Sequence, residues 1–244
     1  MKVNMLKLLV LGDIHANWPA LKAVVDYIKP TRPDGIIQTG DLTVYGTFPN
    51  ETIRWFRKKK KTFSILGNTD LKLLRILHGK KLKRPRKEEK RVMYFWTAGQ
   101  LSKKNRRYLE SLPPDRDITL NKVRIGIFHG TVADAEEALG PDAPASRFRQ
   151  LAHMAPYQVQ IMGHSHRPYY KKAAGVHFIN PGSVGRMHDG DPRASFAIVG
   201  IAPAGVTVTH FRIPYPVRKT VAGIDACGLP PIYKKMFEIG KKLN

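Results

Sequence analysis

The chain holds one cysteine, Cys227, in 244 residues. No disulfide framework can form within it, so the fold must close on apolar burial, and a reducing, cytoplasmic setting is expected. Long apolar runs are also missing. Nothing approaches the roughly 18 consecutive residues of a membrane span. The opening "MLKLLVLGD" is brief, runs straight into Gly-Asp and offers no small-residue cleavage site, so neither a signal peptide nor membrane association is expected. Acidic residues are scarce: 19 Asp and Glu face 42 Lys and Arg, a net charge of +23. Aromatic interleaving is modest, and "YFW" at 94–96 reads as the core face of a helix rather than a base-stacking platform. Internal repeats and low-complexity linkers are absent. With 42% hydrophobic residues the chain can bury a substantial core, and one domain over 1–244 is expected.

The basic excess clusters in "RKKKK" at 57–61, "GKKLKRPRKEEKR" at 79–91, "KKNRR" at 103–107 and "KKMFEIGKK" near the C-terminus. Such a chain attracts polyanions and loses that attraction in salt. Nucleic acid is one partner this suggests, and a solvated basic surface accounts for the same pattern equally well. The pattern carries no signal for or against an oligomer.

Short apolar runs alternate with helix-like segments. "KLLVLGD" reads as a strand ending at Asp13. Residues 17–29 have helical spacing at Leu21, Val24, Val25 and Ile28, with Asn17 as N-cap and Pro19 in the first turn. "GIIQTGD" reads as a strand ending at Asp41, 49–60 as a basic helix, and "TFSILGN" as a strand ending at Asn68. This β-α-β-α-β order predicts an α/β fold with a parallel core. Residues 70–112 read as mostly helical, the last helix starting at Ser102 and Asn105. Strands are expected in "KVRIGIFHG" and "YQVQIMGHSH", with a helix in "PASRFRQLAHMA" between them. Three successive strands follow, in "GVHFINPGS", "ASFAIVGI" and "GVTVTHFRI", and then helices near 216–226 and 230–242.

The strand ends carry the chemistry. Asp13 and His15 follow the first strand, Asp41 the second, Asn68 the third, His129 the fourth, and His164 and His166 the fifth. Each lies beside a glycine or within three residues of one, and glycine permits a sharp turn and close approach to a ligand. In open α/β sheets ligands bind at the carboxyl ends of strands. Seven donors exceed one tetrahedral ion and suit two ions about 3.5–4 Å apart, with one carboxylate shared. Carboxylate, amide and imidazole without thiolate suit Mn, Fe or Zn. "GD" or "GN" alone is a common turn; the joint pattern at five strand ends carries the reading.

"GDIHAN", "GDLTVYG", "GNTD", "FHG" and "GHSHRP" resemble the five blocks of the calcineurin-like metallophosphoesterase superfamily. "NPGSVGRMHDGDPRASFAIV" resembles its small prokaryotic phosphodiesterase-like branch, and the likeness runs over about 6–213. The resemblance implies a four-layer α/β/β/α sandwich of two mixed sheets. It implies that Asp13, His15 and His166 hold one divalent ion, Asn68, His129 and His164 a second, and that Asp41 bridges them, the metals being Mn, Fe, Zn or Ni. It further implies a metal-dependent phosphoesterase acting on phosphodiesters or nucleotide-like phosphoanhydrides, a hydroxide between the ions attacking phosphorus in line. Two other readings stay open: a basic nuclease on DNA or RNA, and a non-catalytic nucleic-acid or protein-binding module on the same fold.

One departure bears on mechanism. Many members have a histidine after the Gly-Asn, serving as acid to the leaving group, and here that position is Thr69. Asp70 is expected to orient a ligand histidine from behind. Asp41, Asn68 and His129 form the expected catalytic group. His188, in the Gly-rich loop after "NPGSVG", is a candidate alternative donor. Asn17, Thr69, Gly182, Ser183 and Arg186 are expected on the substrate side, Arg186 as a bidentate phosphate partner. His78, His153, His177 and His210 read as structural.

Overall fold

The computed structural model describes residues 5–82, 85, 87–203 and 205–244. In chain order the first part runs β1 (Leu6–Leu11), α1 (Trp18–Tyr27), β2 (Gly35–Gln38), α2 (Pro49–Arg57), β3 (Thr62–Ser64), α3 (Asn68–Leu77), α4 (Glu88–Gln100) and α5 (Lys103–Glu110). Then come β4 (Arg116–Leu120), β5 (Val123–Ile127), α6 (Ala145–Met154), β6 (Val159–Ile161), β7 (Tyr169–Ala173), β8 (Val176–Asn180), β9 (Ala194–Ala202), β10 (Gly205–Ile213), α7 (Val217–Ala226) and α8 (Ile232–Ile239).

Two sheets result, ordered β10-β9-β1-β2-β3 and β4-β5-β6-β8-β7. β1 pairs in parallel with β2, with Leu8 opposite Gly35, and antiparallel with β9, with Leu8 opposite Val199. β2 continues in parallel to β3, and in the second sheet β5, β6 and β8 run parallel. The period of two along each strand sorts the core. Leu8 and Val10 point between the sheets, where they meet Ile125, Ile127, Ile161 and Ile179. Leu9 and Leu11 point the other way, into a core shared with Leu21 and Val24 of α1, Phe56 of α2 and Tyr233 of α8. The outer face of the second sheet is covered by α6, whose Phe148 and Leu151 pack on Tyr169, Val176 and Phe178. The four layers are thus helices, sheet, sheet and helix, as expected. Each fully buried aliphatic side chain contributes roughly 1.5–3 kcal/mol.

The local signals hold at several helix ends. Asn17 caps α1 by accepting from the Ala20 N–H at 3.2 Å, and Ser102 caps α5 by accepting from Asn105. The structure corrects other expectations. β3 stops at Ser64, and Asn68 opens α3 instead of ending a strand. The apolar Ile65 and Leu66 are buried, which gives them the composition of a strand without its ladder. β4 and β7 are strands that apolar patterning does not reveal, because they are outer strands of half-exposed polar residues. Each is tied to its neighbour by a two-residue turn with positive φ at both positions, Asn121-Lys122 and Ala174-Gly175. "YFW" does not share one face: Tyr94 is buried and Phe95 exposed, since successive helical residues point about 100° apart. α8 stops at a left-handed Gly240, short of 242. The basic run 79–91 lies partly outside the described residues, at 83, 84 and 86. Among the described residues no helix is long and apolar enough to cross a membrane.

Candidate metal centre

The parallel strands β1, β2, β3, β5 and β6 release their chains at one edge, and the segments that leave them bring the seven donors together. Asp13, His15, Asp41 and His166 have ligand atoms all within 4.8 Å of one another, and all four are buried. His15 Nε2 faces His166 Nε2 at 3.3 Å, and His166 Nε2 lies 3.3 Å from Asp13 Oδ1. On the other side His129 Nε2 faces His164 Nδ1 at 3.0 Å and Asn68 Oδ1 at 3.3 Å. Asp41 stands between the groups. Its Oδ2 is 3.6 Å from both His15 Nε2 and His129 Nε2.

The backbone is strained where it presents these groups. Asp13, His15, Asp41, His164 and His166 all have φ between 49 and 63°, in the left-handed region. Each such residue costs on the order of 1–3 kcal/mol. The turns hold one another in place. The Asp13 N–H donates to Gly40 O at 3.2 Å, and the His15 N–H to Asp41 O at 2.9 Å. Gly67 fits because it has no Cβ: one placed there would lie 2.1 Å from Asp41 Oδ1. Ser183 ties two turns together, donating from Oγ to Asp13 O and accepting from the Arg186 N–H, both at 2.7 Å. Asn180 at the end of β8 donates from Nδ2 to Gly163 O at 2.7 Å, fixing the turn that carries His164 and His166.

Hydrogen bonds behind the site set the imidazole tautomers. His15 Nδ1 meets Thr43 O at 3.2 Å, His129 Nδ1 meets Thr39 O at 2.8 Å, and His166 Nδ1 meets Arg186 O. A carbonyl only accepts, so each Nδ1 carries the proton and each Nε2 presents a lone pair inward. Lone pairs of His15 and His166 then face each other beside Asp13 Oδ1, a buried oxygen with no hydrogen-bond partner. Burial first, then Arg186, holds the His15 imidazole well below its usual range; burial and His188 do the same to His166. His129 and His164 are pushed down to about 4, chiefly by burial. The carboxyls move the opposite way. Burial and then Asp41 raise Asp13 well above the usual carboxylate range, and burial raises Asp41. Neutral nitrogens and crowded carboxylates facing inward are the environment a divalent cation relieves, so the residues fit the metal their donor types suggest. Asp13, His15, Asp41 and His166 could hold one ion, and Asn68, His129 and His164 surround the other side of Asp41.

The remaining candidates divide. Thr69, Arg186 and His188 line a cavity of about 450 Å³ in front of the donors, together with Tyr45, Lys72, Lys90 and Lys242. Asn17, Gly182 and Ser183 do not line it. Asn17 is consumed by the α1 cap and by bonds to Gly185 O, Tyr215 and Thr220, while Gly182 packs on Ser195. Asp70 touches no histidine, contrary to expectation. Its carboxylate accepts from the N–H groups of Leu42, Thr43 and Gly67 and from Thr43 Oγ1, so it fastens the turn after Asp41. Burial first, then Asp41, raises it to about 6. Carbonyls orient the histidines instead. His78, His177 and His210 bond Glu110, Tyr170 and Asn180 O, away from the cavity. Tyr45, Lys90 and Lys242 went unnoticed in the sequence, where only the clustering of basic residues hinted at the two lysines.

Residues 6–203 match the model of the calcineurin-like phosphoesterase superfamily domain. An uncharacterised protein of Methanocaldococcus jannaschii is 27% identical over 249 residues, 95% of this chain and 97% of that one. The crystal structure of a metallophosphoesterase from Sphaerobacter thermophilus is 27% identical, covering 97% of this chain and 100% of its own, at a TM-score of 0.80. A hypothetical protein of Pyrococcus horikoshii shares the fold at a TM-score of 0.86 and 19% identity, over 98% of this chain and 100% of that one. Matched over most of its length by a family model and carrying the donor cluster at its strand ends, the chain belongs to the calcineurin-like phosphoesterase superfamily.

Proposed function

We propose that the chain is a phosphodiesterase that works with two divalent ions, Mn, Fe, Zn or Ni, on phosphodiesters or nucleotide-like phosphoanhydrides. One observation carries this reading: a single carboxylate oxygen, Asp41 Oδ2, lies 3.6 Å from an imidazole nitrogen of each donor group. That is the placement a bridging ligand requires. When bound, the ions would lower the pKa of water and neutralise the phosphoryl oxygens. The chain's own residues supply the rest. The Thr69 N–H donates to Asp41 Oδ1 at 2.9 Å and so aims Oδ2 at the two histidines. Arg186 lies in the same cavity as the donors with its guanidinium 4.0 Å over the Tyr45 ring, a cation open to an anionic part of the substrate. His188 stacks on His166 at 3.9 Å with an unpartnered, buried Nε2. Burial and Arg186 hold its imidazole down to about 2, so it serves as a neutral hydrogen-bond donor rather than a proton reservoir. Thr69 Oγ1 is buried beside the Asp41 carboxylate, and a hydroxyl there is a poor acid. Leaving groups that are stable anions suit such a site.

The basic run 57–61 does not strengthen the nuclease reading. It precedes β3, whereas the donors follow that strand, roughly 20 Å away at about 3.3 Å per residue. The single thiol, Cys227, is exposed and suits a reducing cytoplasm. The test is direct. Protein stripped with a chelator is reloaded with each of the four metals, its metal content measured, and turnover of bis(p-nitrophenyl) phosphate followed. Activity that requires metal and peaks at two ions per chain is expected. A fully loaded protein with no turnover on any diester or anhydride would sink the proposal.

A further inference from the structure

The cavity in front of the donors is charged unevenly. Two of its cations are already neutralised: Lys72 pairs with Glu136 at 3.1 Å and Arg167 with Asp142 at 3.0 Å. Three others, Arg186, Lys90 and Lys242, form no ion pair among the described residues. They come from the loop after β8, the first turn of α4 and the tail after α8, and they crowd one another. Lys90 is pushed down to about 8, by burial first and then by Lys242 and Arg186, and Lys242 is lowered by burial and Arg186.

Arg186 is the telling member. Its residue is 6% exposed, and its Nε is buried without a partner. Among the described residues its Nη2 meets only the Met236 sulfur at 3.7 Å, and its guanidinium lies 4.0 Å over Tyr45 and 5.7 Å from the Tyr233 ring. A buried guanidinium without an acid is costly, and an anion relieves it. His188 adds a second unpartnered, buried nitrogen in the same loop.

Charge decides how large the anion is. Two divalent ions set against Asp13 and Asp41 leave a surplus of two positive charges, enough for one diester phosphate and a deprotonated water. Arg186, Lys90 and Lys242 are then extra. A simple diester has nothing to offer them, whereas a second phosphate does.

We propose that Arg186, Lys90, Lys242 and His188 Nε2 form a subsite for a phosphate joined by an anhydride bond to the scissile one, so that phosphoanhydrides, such as dinucleoside polyphosphates, are the preferred substrate class. This deepens the hydrolase reading above and rests on it. In the reaction the oxygen of water forms the new bond to phosphorus. The anhydride P–O bond breaks with its electron pair going to the departing phosphate, and the proton of water passes to solvent. The departing phosphate is a stable anion held by three cations, so it needs no acid from position 69. Thr69 and the cationic recess thereby point to the same leaving group from separate observations.

The experiment has two arms. In the first, inorganic pyrophosphate is titrated calorimetrically into metal-free protein, where chelation plays no part. Lys90→Met and Lys242→Met, which lie at the cavity rim, and Arg186→Met are each expected to weaken binding by about tenfold, the scale of one charge-assisted contact. The paired change Lys58→Gln and Lys60→Gln, in the distant basic run, is expected to leave it alone. In the second, the ratio of kcat/KM for diadenosine triphosphate to that for bis(p-nitrophenyl) phosphate is measured with metal bound. This ratio is expected to fall by about tenfold in the same three variants. Binding that the rim variants do not change, or that the distant pair weakens as much, overturns the subsite, as does an unchanged ratio. If Arg186→Met fails to fold, the two lysine variants still decide. If loaded wild type hydrolyses neither substrate while Lys90-dependent pyrophosphate binding persists, the hydrolase reading fails and the anion site stands.

Discussion

Asp41→Asn replaces one oxygen by NH₂, and the structure says which one. Oδ1 accepts from the Thr69 N–H at 2.9 Å, so the amide oxygen of Asn must take that place. The NH₂ group is then forced to the position of Oδ2, 3.6 Å from His15 Nε2 and from His129 Nε2. Both nitrogens carry lone pairs there, because their Nδ1 atoms are committed to carbonyls. The substitution therefore turns two N–H groups toward two lone-pair nitrogens, within hydrogen-bond distance after a small shift, and removes a buried charge beside Asp13. At about 0.5–1.5 kcal/mol for each hydrogen bond, the metal-free variant should gain about 1–3 kcal/mol over metal-free wild type. In a domain of this size about 1 kcal/mol moves the melting point by roughly 2–4 °C. Metal should do the reverse. Wild type at a hundredfold excess over Kd gains about 2.7 kcal/mol from the ligand, and the variant should gain almost none. Thermal unfolding with chelator and with added Mn, alongside metal analysis, measures both. A variant that melts lower than wild type in chelator, yet still rises with metal, would refute the tautomer assignment and the shared role of Asp41 together.

Asp70→Asn should leave one of the N–H groups of Leu42, Thr43 or Gly67 unpaired, costing about 1–3 kcal/mol, and should weaken metal binding by loosening the turn that carries Asp41; denaturant titration and metal competition read the two effects. Metal competes with protons at the raised donor carboxyls Asp13 and Asp41, and protonation of Asp70 at about 6 loosens the turn that carries Asp41, before protons compete at His129 and His164, at about 4. Affinity should accordingly be full above about pH 6 and fall as pH drops through it, and a loss that begins only near pH 4 would mean the imidazoles control release. Thr69→His should speed esters of poor leaving groups selectively, by up to about 10²–10⁴-fold if the ring reaches the departing oxygen. A series of diesters with graded leaving groups measures this, and an unchanged slope would show that position 69 has no part in protonation. Neutralising Lys58, Lys59, Lys60 and Lys61 should flatten the salt dependence of any DNA binding without altering turnover of a small diester, since that run lies at the far edge of the sheet.

Much of the fold was legible because the strands that matter are buried on both faces. β1 shows the apolar run Leu8–Leu11 for that reason, and its partners β2 and β9 are nearly all apolar or small. β4 and β7 were illegible for the complementary reason: as outer strands half open to water, they carry Arg, Asp, Lys and Thr and are declared only by their turns. At the site, the identity of the donors could be read because each sits at a fixed offset from a strand. Asp70 could not be assigned its role, since which N–H groups it meets depends on where the Asp41 turn folds back in space. The cationic recess could not be read at all, because Arg186, Lys90 and Lys242 are brought together from three separate segments.

The donors' separation along the chain also orders events during synthesis. His15 and His166 face each other across 151 residues, and His129 reaches Asn68 across 61. When the first 70 residues leave the ribosome they expose two carboxylates, an imidazole and an amide, with none of the later histidines. β1 meanwhile lacks one neighbour, since β9 is completed only at Ala202. A nascent chain therefore cannot assemble either half of the centre until His164 and His166, about two-thirds of the way along it, have emerged. Metal captured there would join the two sheets along a single edge. A product stalled before His164 should be metal-free, however much of the first sheet it has formed.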